Sequence, residues 1–427
     1  LDKDAVHGRN HFLKTEIEVI VKYFSHFCTF NNRRMNLDKR IIPLALGGLG
    51  IGTTEFAVMG LLPDIAKTLA ITIPQAGHLI SAYALGVVIG APLIIGYAVK
   101  FPPKKVLIAL MVIFTLFNGL SALAPDYSTM LIIRFLSGLP HGAFFGVGTV
   151  VAARMAKKGK EAFNISLMFT GLTVANLAMV PFVTYIGHTF SWRWYFVIVG
   201  LIGIVTLVSL KFWLPYIERK GETYFLEELK FLKHRQSWLV LLITAIGFGG
   251  LFTWFSYITP LMTEVSKIDS AYMAYVMVLA GAGMVVGNLA GGFLSDRLGP
   301  EKTCSLLLFL MMISLVGVFF LSENQTVSLV LTFICGGLSM AVAAPINIMM
   351  MKAAPNSEMM AAAFMQAGFN GANALGAFLG GIPLEKGYDF NYPALVGVGM
   401  TFIGLLFSLR YWYLHEKGRF QTDTLAL

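Results

Sequence analysis

The sequence predicts an all-α polytopic membrane protein of twelve transmembrane helices, arranged as two six-helix bundles, and three observations carry that prediction. Of 427 residues, 56% are hydrophobic and only 13% charged, with 43 glycines and a strongly positive mean hydropathy. That is too little charge to cover the surface of a soluble chain of this length. Apolar stretches of about 20 residues, the length that takes a helix across roughly 30 Å of hydrocarbon, recur twelve times. Finally, the second half of the chain echoes the first.

The stretches run 41 to 66, 75 to 99, 104 to 123, 127 to 156, 161 to 187, 193 to 214, 237 to 262, 270 to 294, 302 to 321, 326 to 351, 357 to 383 and 391 to 415. Most connections are a few residues long, so successive helices run antiparallel. The charged stretch 215 to 236 is the exception. It divides an N-terminal bundle, 41 to 214, from a C-terminal bundle, 237 to 415, with 1 to 40 as an N-terminal cytoplasmic segment and 416 to 427 as a cytoplasmic tail. Gly86 and Gly90 recur 197 residues later as Gly283 and Gly287, and the same offset carries Gly171-Leu-Thr-Val-Ala-Asn176 onto Gly368-Phe-Asn-Gly-Ala-Asn373. Two matches in one register point to a duplicated six-helix unit, a transporter-like design.

Orientation follows from lysine and arginine. One side of the predicted membrane carries 27 of them and the other four, namely Lys67, Arg193, Lys267 and Lys386, which places both termini in the cytoplasm. The formal charge of +9 does not indicate nucleic acid, because the basic residues lie between apolar stretches and not on a soluble surface. Cys28, Cys304 and Cys335 are widely separated and form neither a metal spacing nor a disulfide framework. Residues 1 to 34 are polar, basic and aromatic, without the hydrophobic region of a signal peptide. Met35 then opens MNLDKRIIPLALGG like an ordinary start, so 1 to 34 is expected to be either an upstream extension that is not native or a basic cytoplasmic tail.

Within the spans, two charges stand out. Glu55 lies about eleven residues, or roughly 16 Å, from the outer end of the first span, where a charged side chain costs about 2.5 to 3.5 kcal/mol on insertion scales. A carboxyl facing a water-filled cavity open to either side can take and release a proton. The blander reading is an acid that stays protonated and bonded to a neighbouring helix. Arg134, in LIIRFLSGLPHGAFFG, lies about seven residues, or roughly 10 Å, from the outer end of the fourth span, within reach of Glu55 if the two spans face each other. An arginine keeps its charge, so its role is to pair with or bias a titrating acid; the alternative is a structural arginine bonded to carbonyls. Tyr83, His141, Asn176, Trp254, Asn347, Gln366, Asn370 and Asn373 are candidates for a substrate cavity, against the alternative that each bonds one helix to another. His141 could also titrate near neutral pH.

These residues carry a resemblance. Arg134 followed by Gly138, Gly142 and Gly146 resembles the span-four signature of the major facilitator superfamily. Gly292-Phe-Leu-Ser-Asp296-Arg297-Leu-Gly299-Pro-Glu-Lys302 is similar to its loop signature, here between spans eight and nine. Together with GTTEFAVMGLLPDIA, GHLISAYALGVVIGAPL, SGLPHGAFFGVG, GLTVANLAMVP and FSWRWYF, they resemble the twelve-span drug:proton antiporter-1 branch, near arabinose-polymer or sugar efflux transporters, over roughly residues 36 to 415. The resemblance implies Asp296 and Arg297 as a latch in one conformation, with the carboxylate bonding the free N–H groups of a neighbouring helix N-terminus. It also implies Gly171 and Pro181 as points of close approach and kinking in span five. Two departures weaken the pattern. Lys100 stands where the equivalent loop between spans two and three would carry an acid, and Met179 and Val183 stand where related efflux proteins carry glycine.

The sequence therefore implies a secondary transporter of the inner membrane, not an enzyme, that works by alternating access without a cofactor or metal. Its partners are a small organic solute, protons and the lipid bilayer, with no nucleic acid, and it is expected to function as a monomer. Efflux of a drug, sugar or related metabolite against protons is the leading expectation, with a proton-coupled importer or a sugar efflux facilitator as alternatives. A membrane enzyme is disfavoured, since no nucleotide loop, metal pair or hydrolase elbow occurs.

Overall fold

The structure, a computed structural model, describes residues 39–98, 100–157, 161–218, 229–354 and 357–422. The expected extension 1 to 34, the middle of the 215 to 236 stretch and the end of the tail lie outside them. Twelve long helical segments follow one another: α1 (Ile42–Gly60), α2 (Ile73–Ala98), α3 (Pro103–Ser121), α4 (Tyr127–Met155), α5 (Asn164–Thr189), α6 (Arg193–Trp213), α7 (Arg235–Phe255), α8 (Met273–Leu298), α9 (Pro300–Leu321), α10 (Gln325–Ala353), α11 (Glu358–Glu385) and α12 (Tyr392–Glu416). There are no strands among the described residues. All but α11 are long and apolar enough to cross a membrane by composition. In α11, the amides Gln366, Asn370 and Asn373 lower the hydropathy.

Local chemistry sets the ends. Proline occupies the first turn of α1, α3, α9 and α12, where its missing N–H has no helical partner to lose. Asp126 caps α4 by accepting the Thr129 N–H at 2.9 Å and the Thr129 hydroxyl at 3.0 Å, and these bonds hold its carboxyl below the usual range. Asn324 caps α10 the same way through the Val327 N–H at 3.2 Å. α8 runs four residues beyond the expected end at 294 and stops at Gly299, whose φ of 84° is open to glycine at no steric cost.

The repeat seen in the sequence is also a repeat of packing. α1 packs on α5 and α6, as α7 packs on α11 and α12; α3 joins α4 to α6, as α9 joins α10 to α12; α2 lies along α4, as α8 lies along α10. Both leading helices break at equivalent points. α1 leaves helical geometry at Leu61 (φ −112°, ψ 10°) ahead of Pro63, and α7 is followed by the same break at Tyr257 (φ −113°, ψ 22°) ahead of Pro260. A proline has no N–H to give to the carbonyl four residues back, Met59 for Pro63 and Ser256 for Pro260, so the expected spans 41 to 66 and 237 to 262 are each interrupted near their ends.

The two halves meet where α2 contacts α11 and where α5 contacts α8, with α11 also touching α4. On the side where α1 ends and α2 begins, the halves are bonded together. The Thr259 hydroxyl donates to the Met59 carbonyl at 2.9 Å, using an acceptor that the break in α1 leaves free. Nearby, His78 Nε2 of α2 lies 3.9 Å from Glu385 Oε1 of α11.

Pro181 sits just beyond a π turn, Ala175–Met179, that interrupts α5, the adjustment that a proline demands of the preceding turn. The glycines missing at Met179 and Val183 are replaced from across the interface, because α8 sets Gly281 against the Asn176 carbonyl. The closest helix approach of this kind is between α8 and α10, where a Cβ on Gly287 would collide with the Gly337 carbonyl. Gly287→Ala is therefore expected to destabilise the fold by about 1–3 kcal/mol, read as a lower unfolding midpoint in detergent. Gly399→Ala, whose added methyl would meet no atom, should leave the midpoint unchanged.

Candidate functional site

The middle of α1 presents two polar faces in successive residues. Thr54 and Glu55 are about 100° apart around the helix, so Thr54 points toward α3, α4 and α6 while Glu55 points toward α2 and α11. This small rotation separates the two charges that the sequence places side by side.

Arg134 of α4 is fully buried. Its Nη1 donates to Thr54 Oγ1 at 3.1 Å and its Nη2 to the Thr54 carbonyl at 3.3 Å. The guanidinium also lies over the Tyr83 ring at 4.3 Å and nears the Phe196 ring at 5.7 Å, a cation–π arrangement suited to a flat, delocalised cation. Thr54 in turn donates its hydroxyl to Asn118 Oδ1, and Asn118 donates to the Phe114 carbonyl at 2.9 Å. Tyr195 closes the group by donating its hydroxyl to the Thr54 carbonyl at 2.7 Å. Arg134 was expected to pair with or bias the titrating acid Glu55, or else to bond backbone carbonyls. The observed partner is Thr54, one residue earlier, because that is the face of α1 turned toward α4.

Glu55 is 7% exposed. Its carboxyl interacts with Arg134 and with the side chain of Asn373 of α11, but among the described residues no ion pair joins it to Arg134. Tyr83 is within electrostatic reach of the same carboxyl, and its hydroxyl is 3.1 Å from His141 Nδ1. Glu55, Tyr83, Arg134, His141 and Asn373 thus form one buried group contributed by α1, α2, α4 and α11.

The other candidates are dispersed. Asn370 lies one turn from Asn373, donates to the Gln366 carbonyl at 3.1 Å and keeps its Oδ1 buried and unpartnered. Gln366 is half-buried. Trp254 is buried against Phe255 at 5.7 Å, next to the Phe56–Phe255 pair at 6.1 Å, with its indole N–H unpartnered. Asn347 is exposed and bonded to its own helix at Ala343, which suits a helix-surface amide better than a cavity wall. Asn176 supplies its backbone to the contact with Gly281. Gly138 packs against the Tyr83 carbonyl and Gly171 against the Ala45 carbonyl, so both act in helix packing.

The loop signature differs from its expected role in this conformation. Asp296 is exposed and among the described residues caps no helix N-terminus. Arg297 lies over the Phe293 ring at 4.2 Å, and Gly292 ends no helix, since α8 continues through it to Leu298. The buried acid of this region is Glu301, 3.2 Å from Lys352 and 3.6 Å from His415. In the loop after α2, Lys104 donates to the Lys211 carbonyl at the end of α6 at 2.9 Å, a cation at a helix C-terminus. Lys104 thus caps a neighbouring helix, while Lys100 lies over the Tyr97 ring at 5.5 Å.

Thr54, Asn118 and Tyr195 escaped the sequence reading. The available signal was the arginine itself, since a buried guanidinium requires acceptors and the polar residues of α1 and α6 are the ones that can reach it. Thr54→Val removes an acceptor from Arg134 and a donor from Asn118 at once. It is expected to lower stability by about 1–3 kcal/mol, measured by thermal unfolding in detergent, while Thr54→Ser restores most of the loss.

Comparison with known proteins agrees with this architecture. The model of the Major Facilitator Superfamily matches residues 44–360. The chain is 37% identical over 390 residues to "Putative transporter AraJ" of Escherichia coli K12, covering 91% of this chain and 99% of that protein. It is 38% identical over 372 residues to "Inner membrane transport protein YdhP" of the same strain, covering 87% and 95%. The crystal structure of a D-xylose-proton symporter shares the fold with a TM-score of 0.71 at 17% identity, covering 88% of this chain and 97% of that one. Twelve paired helices, a charge group buried at their centre and relatives of this kind lead to one conclusion: the chain belongs to the major facilitator superfamily, as a multi-pass membrane transport protein and not an enzyme.

Proposed function

We propose that the protein exports a small organic solute across the inner membrane in exchange for protons, by alternating access between its two six-helix halves, with both termini in the cytoplasm and the monomer as the working unit. The observation that carries this reading is Glu55: a carboxyl in mid-membrane, almost fully buried, beside an arginine already committed to Thr54. An acid locked in an ion pair would be hard to protonate. Glu55 has no such lock, so it can exist as the neutral acid in one conformation and the anion in another.

Arg134 acts on this acid through its field. It keeps a positive charge fixed near the carboxyl in every protonation state and lets the proton leave without an unpaired anion remaining in the hydrocarbon. The polar side chains of α11, above all Asn370 and Asn373, face this region from the C-terminal half and are the groups from which a solute would draw hydrogen bonds. The efflux direction rests on the motif resemblance to the drug:proton antiporter-1 branch, and the inner-membrane location on the name of the relative YdhP.

The test is a panel of drugs, pentoses and nucleosides offered to inverted membrane vesicles with and without a proton gradient. Gradient-dependent uptake of one class is expected. With that solute, Glu55→Gln should lower uptake to the level of protonophore-treated vesicles while solute counterflow without a gradient continues. A Glu55→Gln protein whose gradient-driven uptake keeps wild-type pH dependence would remove Glu55 from the mechanism. Solute uptake indifferent to the gradient would instead identify a facilitator.

A further inference from the structure

Asn373 is fully buried, and its amide finds no hydrogen-bonding group other than the Glu55 carboxyl beside it. It lies on α11, in the C-terminal half, yet interacts with Glu55 of α1 in the N-terminal half. The backbone beside it is pinned to the N-terminal half as well, because the Ser81 hydroxyl of α2 donates to the Ala374 carbonyl at 3.0 Å. By the 197-residue repeat, the counterpart of Asn373 is Asn176 on α5, which faces the other half through α8, and the counterpart of Glu55 is Phe252. Only one of the two symmetry-related asparagines therefore faces an ionisable group across the interface.

We propose that Asn373 is a positioning residue that transmits the protonation state of Glu55 from the N-terminal half to the C-terminal half. The inference rests on Glu55 as the proton carrier. A carboxamide can answer both states of an acid, but with opposite ends: its N–H donates to the ionised carboxylate, and its carbonyl accepts from the protonated carboxyl. Changing from one bond to the other requires the amide to turn or α11 to shift against α1 and α2. The neighbouring Ala374 carbonyl is tied to Ser81 of α2, and a shift of the helix is the response that moves one half relative to the other. Other groups facing the pair are Arg134 and His141 from α4, Tyr83 from α2 and Tyr195 from α6. Of these side chains only an imidazole has an unperturbed pKa near neutrality, so His141 must be separated from Glu55 experimentally.

The experiment needs no solute. Spin labels on Lys67→Cys and Lys386→Cys, both exposed and on opposite halves at the side closed by Thr259, are introduced with Cys28, Cys304 and Cys335 changed to serine. The distance between labels is followed by pulsed electron resonance in liposomes across a pH series, and the carboxyl band of Glu55 is identified by infrared difference against Glu55→Gln. The label distance is expected to shift with pH in the parent. Asn373→Leu should lose most of that shift while the Glu55 band still titrates, and Asn373→Ser should recover part of it. The proposal is overturned if Asn373→Leu shifts like the parent, or if it abolishes the Glu55 titration together with the shift, which would mark Asn373 as a structural support of the acid. Should the leucine variant fail to fold, Asn373→Ala is judged by the same two readouts. A shift that persists in Glu55→Gln comes from His141 or another group and overturns the reading of Glu55 itself, an outcome distinct from failure at Asn373 alone.

Discussion

The burial of Arg134 is the constraint on which the centre of this protein depends. A guanidinium retains its charge in any protein environment, so placing it where lipid surrounds the helices obliges neighbouring helices to surround it with acceptors and aromatic faces. Thr54 of α1, Tyr83 of α2 and Phe196 of α6 do so, and Asn118 and Tyr195 hold Thr54 in turn. Four helices of the N-terminal half are therefore joined to α4 through one side chain or its immediate partner. Apolar packing between helices in lipid is only weakly directional. This polar group supplies the missing direction, and it sets which face of α1, and hence which way Glu55, is presented to the other half.

The scaffold is symmetric while the chemistry is not. Caps, breaks and helix pairings recur within one residue of the repeat offset, from Asp126 and Asn324 to Leu61 and Tyr257. The charged residues do not recur: Phe252 stands at the position of Glu55, and Thr332, bonded to its own helix through Ser328, stands near that of Arg134. One half thus holds the fixed and the variable charge, and the other brings amides to them on α11. This polar group therefore lies where the two halves meet, through α2 and α11.

The helix count, the two halves and the identity of Glu55 and Arg134 as the charges of interest were legible in the sequence, because hydrocarbon imposes a length on every span and a penalty on every charge. The helix breaks at Leu61 and Tyr257 were signalled only by Pro63 and Pro260, and hydropathy carries no information about them. That Arg134 bonds Thr54 and reaches Glu55 only through its field could not be read from the sequence, because a one-residue step around a helix changes the face by about 100° and spacing along two separate helices cannot say how each is rotated. The resemblance implies a latch at Asp296, but whether its carboxylate reaches a neighbouring helix end depends on how the helices are placed, which no motif specifies.

What the sequence determined by itself is local and additive: the number and length of the spans, the repeat, the caps, and the rarity of charge in the apolar stretches. Each depends on the free energy of placing single residues in lipid or at a helix end. What only the tertiary structure decided is which residues share a volume. Thr54 comes to Arg134, Gly281 comes to Asn176, and Asn373 is set beside Glu55 from more than 300 residues away in the chain. These meetings depend on how helices rotate and cross, which is settled by packing and polar satisfaction over the whole bundle at once and is written in no single segment.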